Sequence, residues 1–453
     1  MTEGPIFSKL FVFSVPVILT GVLQLLYNAA DMIVVGQFAE QGSLAAVGAT
    51  GALIALITNV LMGIGVGASV IVGRNLGRRD EAGAARASAG ALIISLVGGV
   101  LLGVLGFCFA RPMLELMDTP ADVIDRSVSY MKIFFLGLPA NAFYNFGSAC
   151  IRAVGDTKRP LLFLFFSGLF NVALNLVTVL GFNMGVSGVA IATVVSQIIS
   201  AVLTLIYFIR VNSPIKLTGE ALKVTLGDFA LITKIGLPAG IQGSFFSISN
   251  VLIQSSVNSF GSIVMDGNTA ASSIENFVYI VMNSIAQATL AFVSQNHGAL
   301  KFDRIKKIVY ESLLFVLGAG VLLGGFAFVF KTELLGFYTH DPDVISHGID
   351  RMTIICTTYF LCGMMDVMSS ALRGLGRSAT AMIVSLVGSC LLRIVWIYTI
   401  FKEVGTIQSL YISYPISWLL TVLVHCVFFF FAFRKEEKLA AERVRGRLAE
   451  SGC

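Results

Sequence analysis

Asp31 is the one carboxylate in the apolar run from Phe11 to Val35, inside the stretch PVILTGVLQLLYNAADMIVVG. A charged residue at the centre of a membrane helix costs roughly 2.5 to 3.5 kcal/mol on insertion scales, so its presence there points to a function. At 100° per residue, Thr20, Gln24, Tyr27, Asn28 and Asp31 fall within an arc of about 100°. They make one polar stripe on an otherwise lipid-like helix. Its amides and hydroxyls can bind an organic molecule, and its carboxylate can bind a proton or a cation. Burial penalises the charged form of a carboxyl group, which suits Asp31 to carrying a proton near neutral pH. Pro16, on about the same face, removes a backbone hydrogen bond and forms a hinge whose bend can follow the state of Asp31.

Other polar residues at membrane depth extend this set. Gln242, Asn250 and Gln254 form a second, uncharged stripe beside Phe245 and Phe246, a mixture suited to amphipathic ligands. Asn171 and Asn175 lie one turn apart, and Thr193 follows in the next apolar segment. Asp366, in CGMMDVMSSALRG, is a further buried acid, and Glu275 faces either a cavity or the interface. Arg393 is read as the only spanning cation and as the charge partner of Asp366 or Glu275, because buried charges are seldom left unpaired. No nucleophile–base pair is spaced for catalysis, and His297, His340, His347 and His425 stand in loops or alone, which argues against an enzyme.

The elements that must hold these residues follow from composition. The chain has 453 residues, 56% hydrophobic and 13% charged, with mean hydropathy +0.86, as expected of an integral membrane protein. Apolar windows near 11–36, 46–72, 88–110, 128–149, 161–182, 186–209, 231–258, 273–295, 308–330, 351–372, 379–401 and 408–433 predict twelve spans. The first is too long for a signal-peptide core and is read as a retained span. Most of the 31 lysines and arginines fall at the N-terminus, in the even-numbered connections and in the tail, which predicts both termini on the cytoplasmic side. The net charge of +5 is thereby explained by orientation rather than by nucleic acid. No cofactor is expected, the seven cysteines lack metal-finger spacing, and the chain is expected to work as a monomer.

The two halves repeat. Pro16 and Asn28 recur as Pro238 and Asn250, Asn75-Leu76-Gly77 as Asn296-His297-Gly298, and the stretch at Cys150–Lys158 as ALRGLGRSA from Ala371. Asn145 is in this register the counterpart of Asp366. Six spans separate the copies, so both lobes point the same way and can rock around a midplane site. The expected division is an N-terminal lobe at 1–210, a linker at 211–230, a C-terminal lobe at 231–433 and a cytoplasmic tail at 434–453.

On PVILTGVLQLLYNAADMIVVG, IRAVGDTKRP, NVALNLVTVLGFNMGVSGVAIATVVSQ, SQNHGA and ALRGLGRS, the chain resembles the multidrug and toxic compound extrusion (MATE) family over about residues 5 to 435. The resemblance implies an all-α polytopic protein of two six-helix bundles in a prokaryotic cytoplasmic membrane. It also implies export of organic, often cationic or amphipathic, small molecules in exchange for Na⁺ or H⁺. It places Asp31, Asn171, Asn175 and Thr193 in an N-lobe cation site, which would hold metal only with Na⁺ as coupling ion. That branch of the family has aspartate where this chain has Asn175. Losing a charged oxygen weakens a hard-cation site, which favours H⁺. In another branch an aspartate in span 10 contributes to coupling, so Asp366 is a second candidate. Gln24, Tyr27, Asn28, Asn145, Gln242, Asn250 and Gln254 are the candidate substrate-binding residues, with Pro16 as hinge. The rival reading is a flippase for lipid-linked sugars or lipids, which would call for a strongly cationic cavity.

Overall fold

The structure, a computed structural model, describes residues 1–40, 42–117 and 119–450, with side chains to Glu442. Segments this apolar must satisfy their backbone hydrogen bonds internally, and among the described residues they do so as helices alone. Twelve are long: α1 Ile6–Phe38, α2 Ser43–Gly77, α3 Glu81–Leu116, α4 Ile124–Ala153, α5 Lys158–Gly181 and α6 Gly185–Arg210; then α7 Leu226–Asn258, α8 Ser262–Gly298, α9 Phe302–Val329, α10 Pro342–Gly374, α11 Ser378–Val404 and α12 Ile407–Glu450. Ten have the length and apolarity to cross a membrane, and α4 and α7 are as long but more polar. The expected tail continues α12 as one helix, and residues 451–453 lie outside the described residues.

The repeated turn after Arg152 and after Arg373 has a backbone reason. Gly155 and Gly376 sit at φ 102° and 74°, a region that side chains with a Cβ avoid. In α5 a π-helical turn, Val177–Gly181, begins two residues after Asn175. Such a turn leaves a local widening in the helix and is frequent at functional sites.

The chain forms two compact units, and they are not the sequence halves expected at 1–210 and 231–433. One unit is Pro16–Ser244, and the other is Met1–Val15 together with the chain from Phe245 onward. Glycines explain why the beginning of α7 joins the first unit. A Cβ on Gly63 would lie 1.9 Å from the Gly240 nitrogen, and one on Gly67 would lie 2.2 Å from the Ile232 carbonyl oxygen. A Cβ on Gly236 would meet Ile64 Cα at 2.4 Å. Gly63/Gly67 on α2 and Gly236/Gly240 on α7 are thus two small-xxx-small pairs that bring the backbones into contact. Gly236→Leu should therefore cost well over the 1–3 kcal/mol typical of overpacking and empty the monodisperse peak in size-exclusion chromatography. Gly318→Leu, whose site has open space around it, should leave the peak unchanged.

In the second unit residues 1–15 are held by carbonyl capture and aromatic packing. Arg304 donates to the carbonyls of Gly4 at 2.8 Å, Glu3 at 3.0 Å and Met1 at 3.3 Å, and Lys301 donates to Thr2 at 3.0 Å. Phe7 meets Phe315 and Phe13 meets Phe292 edge-on, with centroids 5.3 and 5.8 Å apart. Its main core gathers Met282, Val316, Ile355, Val367 and Trp418 from α8, α9, α10 and α12.

Candidate functional site

In the first unit α1, α5 and α6 converge on Asp31. Asn175 Nδ2 donates to Asp31 Oδ1 at 2.5 Å, and the Thr193 hydroxyl reaches Oδ2 at 3.4 Å while also donating to the Val189 carbonyl at 2.9 Å. The same Asn175 amide nitrogen is 3.3 Å from Asn171 Oδ1. Asn171 and Asn175 are buried and Asp31 is half-buried. All four candidates for the cation site therefore lie in mutual reach. Asn175 offers its N–H, not its oxygen, to the carboxylate, and its own Oδ1 is buried without a hydrogen-bond partner.

Asp31 opens on a cavity of about 250 Å³, which Gln24, Tyr27, Asn28 and Asn145 also line. Tyr27 lies against Gly168 so closely that a Cβ there would be 1.8 Å from its Cζ, and its hydroxyl donates to the Phe165 carbonyl at 3.3 Å. Glycine is thus the seat of this ring. Thr20 donates to the Pro16 carbonyl at 2.8 Å, and Pro16 itself stands at the boundary between the two units. The sequence reading missed Asn141, Tyr144, Ser167, Ser196, Gln197 and Ser200, which complete the lining. The signal was present: Asn141, Tyr144 and Asn145 on α4, and Thr193, Ser196, Gln197 and Ser200 on α6, recur at three- and four-residue spacing.

The second unit corrects the expected charge pairing. Among the described residues Arg393 has no ion pair with Asp366 or with Glu275. Its Nε donates to Ser417 at 2.8 Å, its guanidinium lies over the rings of Tyr414 and Trp418 at 4.2 and 5.6 Å, and Nη2 has no partner. Glu275 instead takes a two-pronged contact from Arg351, at 3.0 and 2.7 Å, and Arg351 also donates to Asn268 at 2.7 Å. Arg351, expected at the end of a span, is buried within α10, so Arg393 is not the only buried cation. The planar fork of Arg351 meets both oxygens of Glu275, and since Arg393 carries the same fork it is packing that brings Arg351 there.

The α7 stripe is divided. Gln242 is buried in the first unit, whereas Asn250 and Gln254 belong to the second, where Gln254 accepts from Asn268 at 3.1 Å and donates to Asn258 at 2.9 Å. None of the three lines the Asp31 cavity. Asp366 sits apart, with Asn283 in hydrogen-bond reach, Arg373 acting on it electrostatically, and a buried Oδ2 without a partner. In the register of the repeat, Gln24, Thr193 and Gln197 correspond to Phe246, Tyr414 and Trp418. At these three positions the polar lining of one unit is matched by packed aromatics in the other.

The profile of the MatE family matches twice, at residues 16–177 and 238–399. The chain is 25% identical over 447 residues to a Bacillus subtilis protein named "Probable multidrug resistance protein YoeA", covering 96% of each. It is 20% identical to multidrug export protein MepA of Staphylococcus aureus, over 93% of this chain and 94% of that protein. Among solved structures, a MOP superfamily transporter from Pyrococcus furiosus has the same fold, with TM-score 0.90 at 20% identity over 96% and 98% of the two chains.

Proposed function

The chain belongs to the MatE family, whose members are transporters rather than enzymes, and on that premise we propose that it is a secondary antiporter exporting small organic cations in exchange for protons. The observation that carries this reading is the single carboxylate of Asp31, held by Asn175 and Thr193 at the wall of a polar cavity. An ionised Asp31 attracts a cationic substrate. A proton arriving from outside neutralises it, the attraction lapses and the substrate leaves. One charge moving through about 100 mV supplies about 2.3 kcal/mol before any concentration gradient is added. Pro16 is the hinge through which the occupancy of Asp31 is communicated, because the unit boundary falls there.

Protons are favoured over Na⁺ by the orientation of Asn175. Its N–H already does for the carboxylate what a cation would do, whereas Na⁺ needs the oxygens of Asp31, Asn171, Asn175 and Thr193 turned to one point. The names of YoeA and MepA support multidrug export. The distribution of Lys and Arg supports both termini on the cytoplasmic side of the bacterial membrane, and one chain with both units needs no second copy. A flippase is disfavoured because the cavity carries a carboxylate and amides, not a cluster of cations.

Counterflow of a fluorescent organic cation in proteoliposomes tests this. A pH gradient, acid on the side that receives substrate, should drive transport, and an imposed Na⁺ gradient at constant pH should not. Transport driven by Na⁺ alone would overturn proton coupling, and movement of diphosphate-linked lipids in place of the dye would favour the flippase.

A further inference from the structure

We propose that Val35, Val179 and Val189 form an apolar gate, one layer thick, between the Asp31 cavity and a second cavity of the first unit, and that the coupling proton passes from water in that second cavity through the gate to the Asp31 carboxylate. This rests on the antiport reading above and names the route by which its ion reaches the site. The second cavity, about 490 Å³, lies at the helix ends that the distribution of Lys and Arg puts outside. Its lining includes Glu40, Asp125, Arg126, Ser129, Asn183 and Ser187. Arg126 is tied to Glu40 at 2.7 Å and Asp125 to Arg111, so the charges at the rim are paired. Glu40, Asp125, Ser129 and Asn183 are exposed, which makes this outer cavity a wet one.

The same spacing on three helices sets a valine between the two cavities. Along α1, Asp31 of the inner cavity is followed one turn on by Val35, and one turn further by Phe38 of the outer cavity. Along α6 the order is Thr193, Val189 and Val186, again from inner to outer. On α5, Asn175, which holds Asp31, precedes Val179 by one turn, and Val179 itself lines the outer cavity. Residues three and four apart share a helix face, so each valine stands in line between the polar groups on its two sides. Val35, Val179 and Val189 are 1%, 2% and 0% exposed and make one buried cluster with Val34. Val47 of α2 packs against that cluster and against its neighbour, Tyr130, Val186 and Ala190. At 1.5 Å per residue, Asp31 and Phe38 are ~10 Å apart along α1, which leaves room for a single layer of side chains.

An apolar constriction closes a path by excluding water, and a proton crosses it only when water enters. Two features tie this layer to the site beneath it. Val179 lies within the π-helical turn Val177–Gly181, where the backbone departs from the α-helical ladder. The Thr193 hydroxyl that reaches Asp31 Oδ2 also donates to the Val189 carbonyl, so the backbone that carries one valine is in contact with the group that binds the carboxylate.

The test measures proton entry into substrate-free proteoliposomes under an imposed K⁺ diffusion potential, read by a pH dye trapped inside, with the purified full-length protein. Val179→Ser should raise the flux at least fivefold over wild type, and Val179→Thr, which keeps the shape of the side chain and so the packing, should raise it by a smaller factor. Asp31→Asn added to Val179→Ser should return the flux to the wild-type level. Ser187→Trp, which fills the outer cavity without entering the inner one, should slow pH-driven export severalfold while leaving the affinity for a fluorescent organic cation unchanged. Wild-type flux in both folded Val179 variants, a raised flux that survives Asp31→Asn, or full-speed export by Ser187→Trp would each overturn the gate. The antiport reading fails separately, in the wild type, by loss of pH-driven export; the gate fails in the variants while wild-type export is intact.

Discussion

Asp31→Asn should leave a folded protein that exchanges substrate but cannot concentrate it. The substitution keeps the shape of the side chain and an oxygen for the Asn175 amide nitrogen, so the contact with α5 survives while the titratable charge is lost. In proteoliposomes with a pH gradient, uphill accumulation should fall at least tenfold, to the level set by substrate concentration alone. Downhill counterflow should remain measurable. Asp366→Asn, the matching change in the other unit, should retain the pH response. If Asp31→Asn accumulates substrate normally, or if Asp366→Asn alone abolishes the response, coupling does not reside in the first unit. The reciprocal change Asn175→Asp puts a second carboxylate where an N–H now serves the first. Two negative groups so close call for a cation between them, and transport by this variant should gain a dependence on Na⁺.

Much of this site was legible because helical periodicity is local. The stripe from Thr20 to Asp31 can be read from residues three and four apart, and α1 presents it in one continuous helix. The repeat was legible for a similar reason: Pro16 and Pro238 mark the two copies, and the two family matches begin at those prolines. What periodicity cannot supply is which face meets which. Nothing local to Glu275 chooses Arg351 over Arg393, since the partners are separated by 76 residues and selected by packing. The exchange of half-helices between units was hidden for the same cause. It depends on glycines of α2 and α7 that come into contact across more than 160 residues, and on Arg304 and Lys301 together reaching the first four carbonyls of the chain. The remaining cavity residues on α4 and α6 were legible in principle, because their spacing follows the rule that picked out α1.

The two units differ in a way that bears on where coupling resides. One repeat keeps Gln24, Thr193 and Gln197 around a cavity, and its counterpart positions are filled by Phe246, Tyr414 and Trp418. Aromatic side chains at those three positions add buried apolar surface, each large aromatic burying on the order of 150–250 Å². In the second unit Glu275 and Arg351 satisfy each other as a buried pair, the arrangement of a structural ion pair.

That pairing predicts a large stability effect. Glu275 and Arg351 are 4% and 7% exposed, and Arg351 is further tied to Asn268, which also accepts from Tyr411 at 3.3 Å. Breaking such a pair from one side leaves an uncompensated charge and costs about 3–5 kcal/mol. At roughly 2–4 °C per kcal/mol for a domain of this size, Glu275→Gln and Arg351→Met should each lower the unfolding midpoint by about 10 °C. The double variant should recover most of that loss, because hydrocarbon and a neutral amide leave no charge stranded. Transport per folded molecule should be unchanged in Glu275→Gln at low temperature. A single variant that melts normally would show the pair to be solvated, and one that melts normally while losing the pH response would move coupling from Asp31 to Glu275.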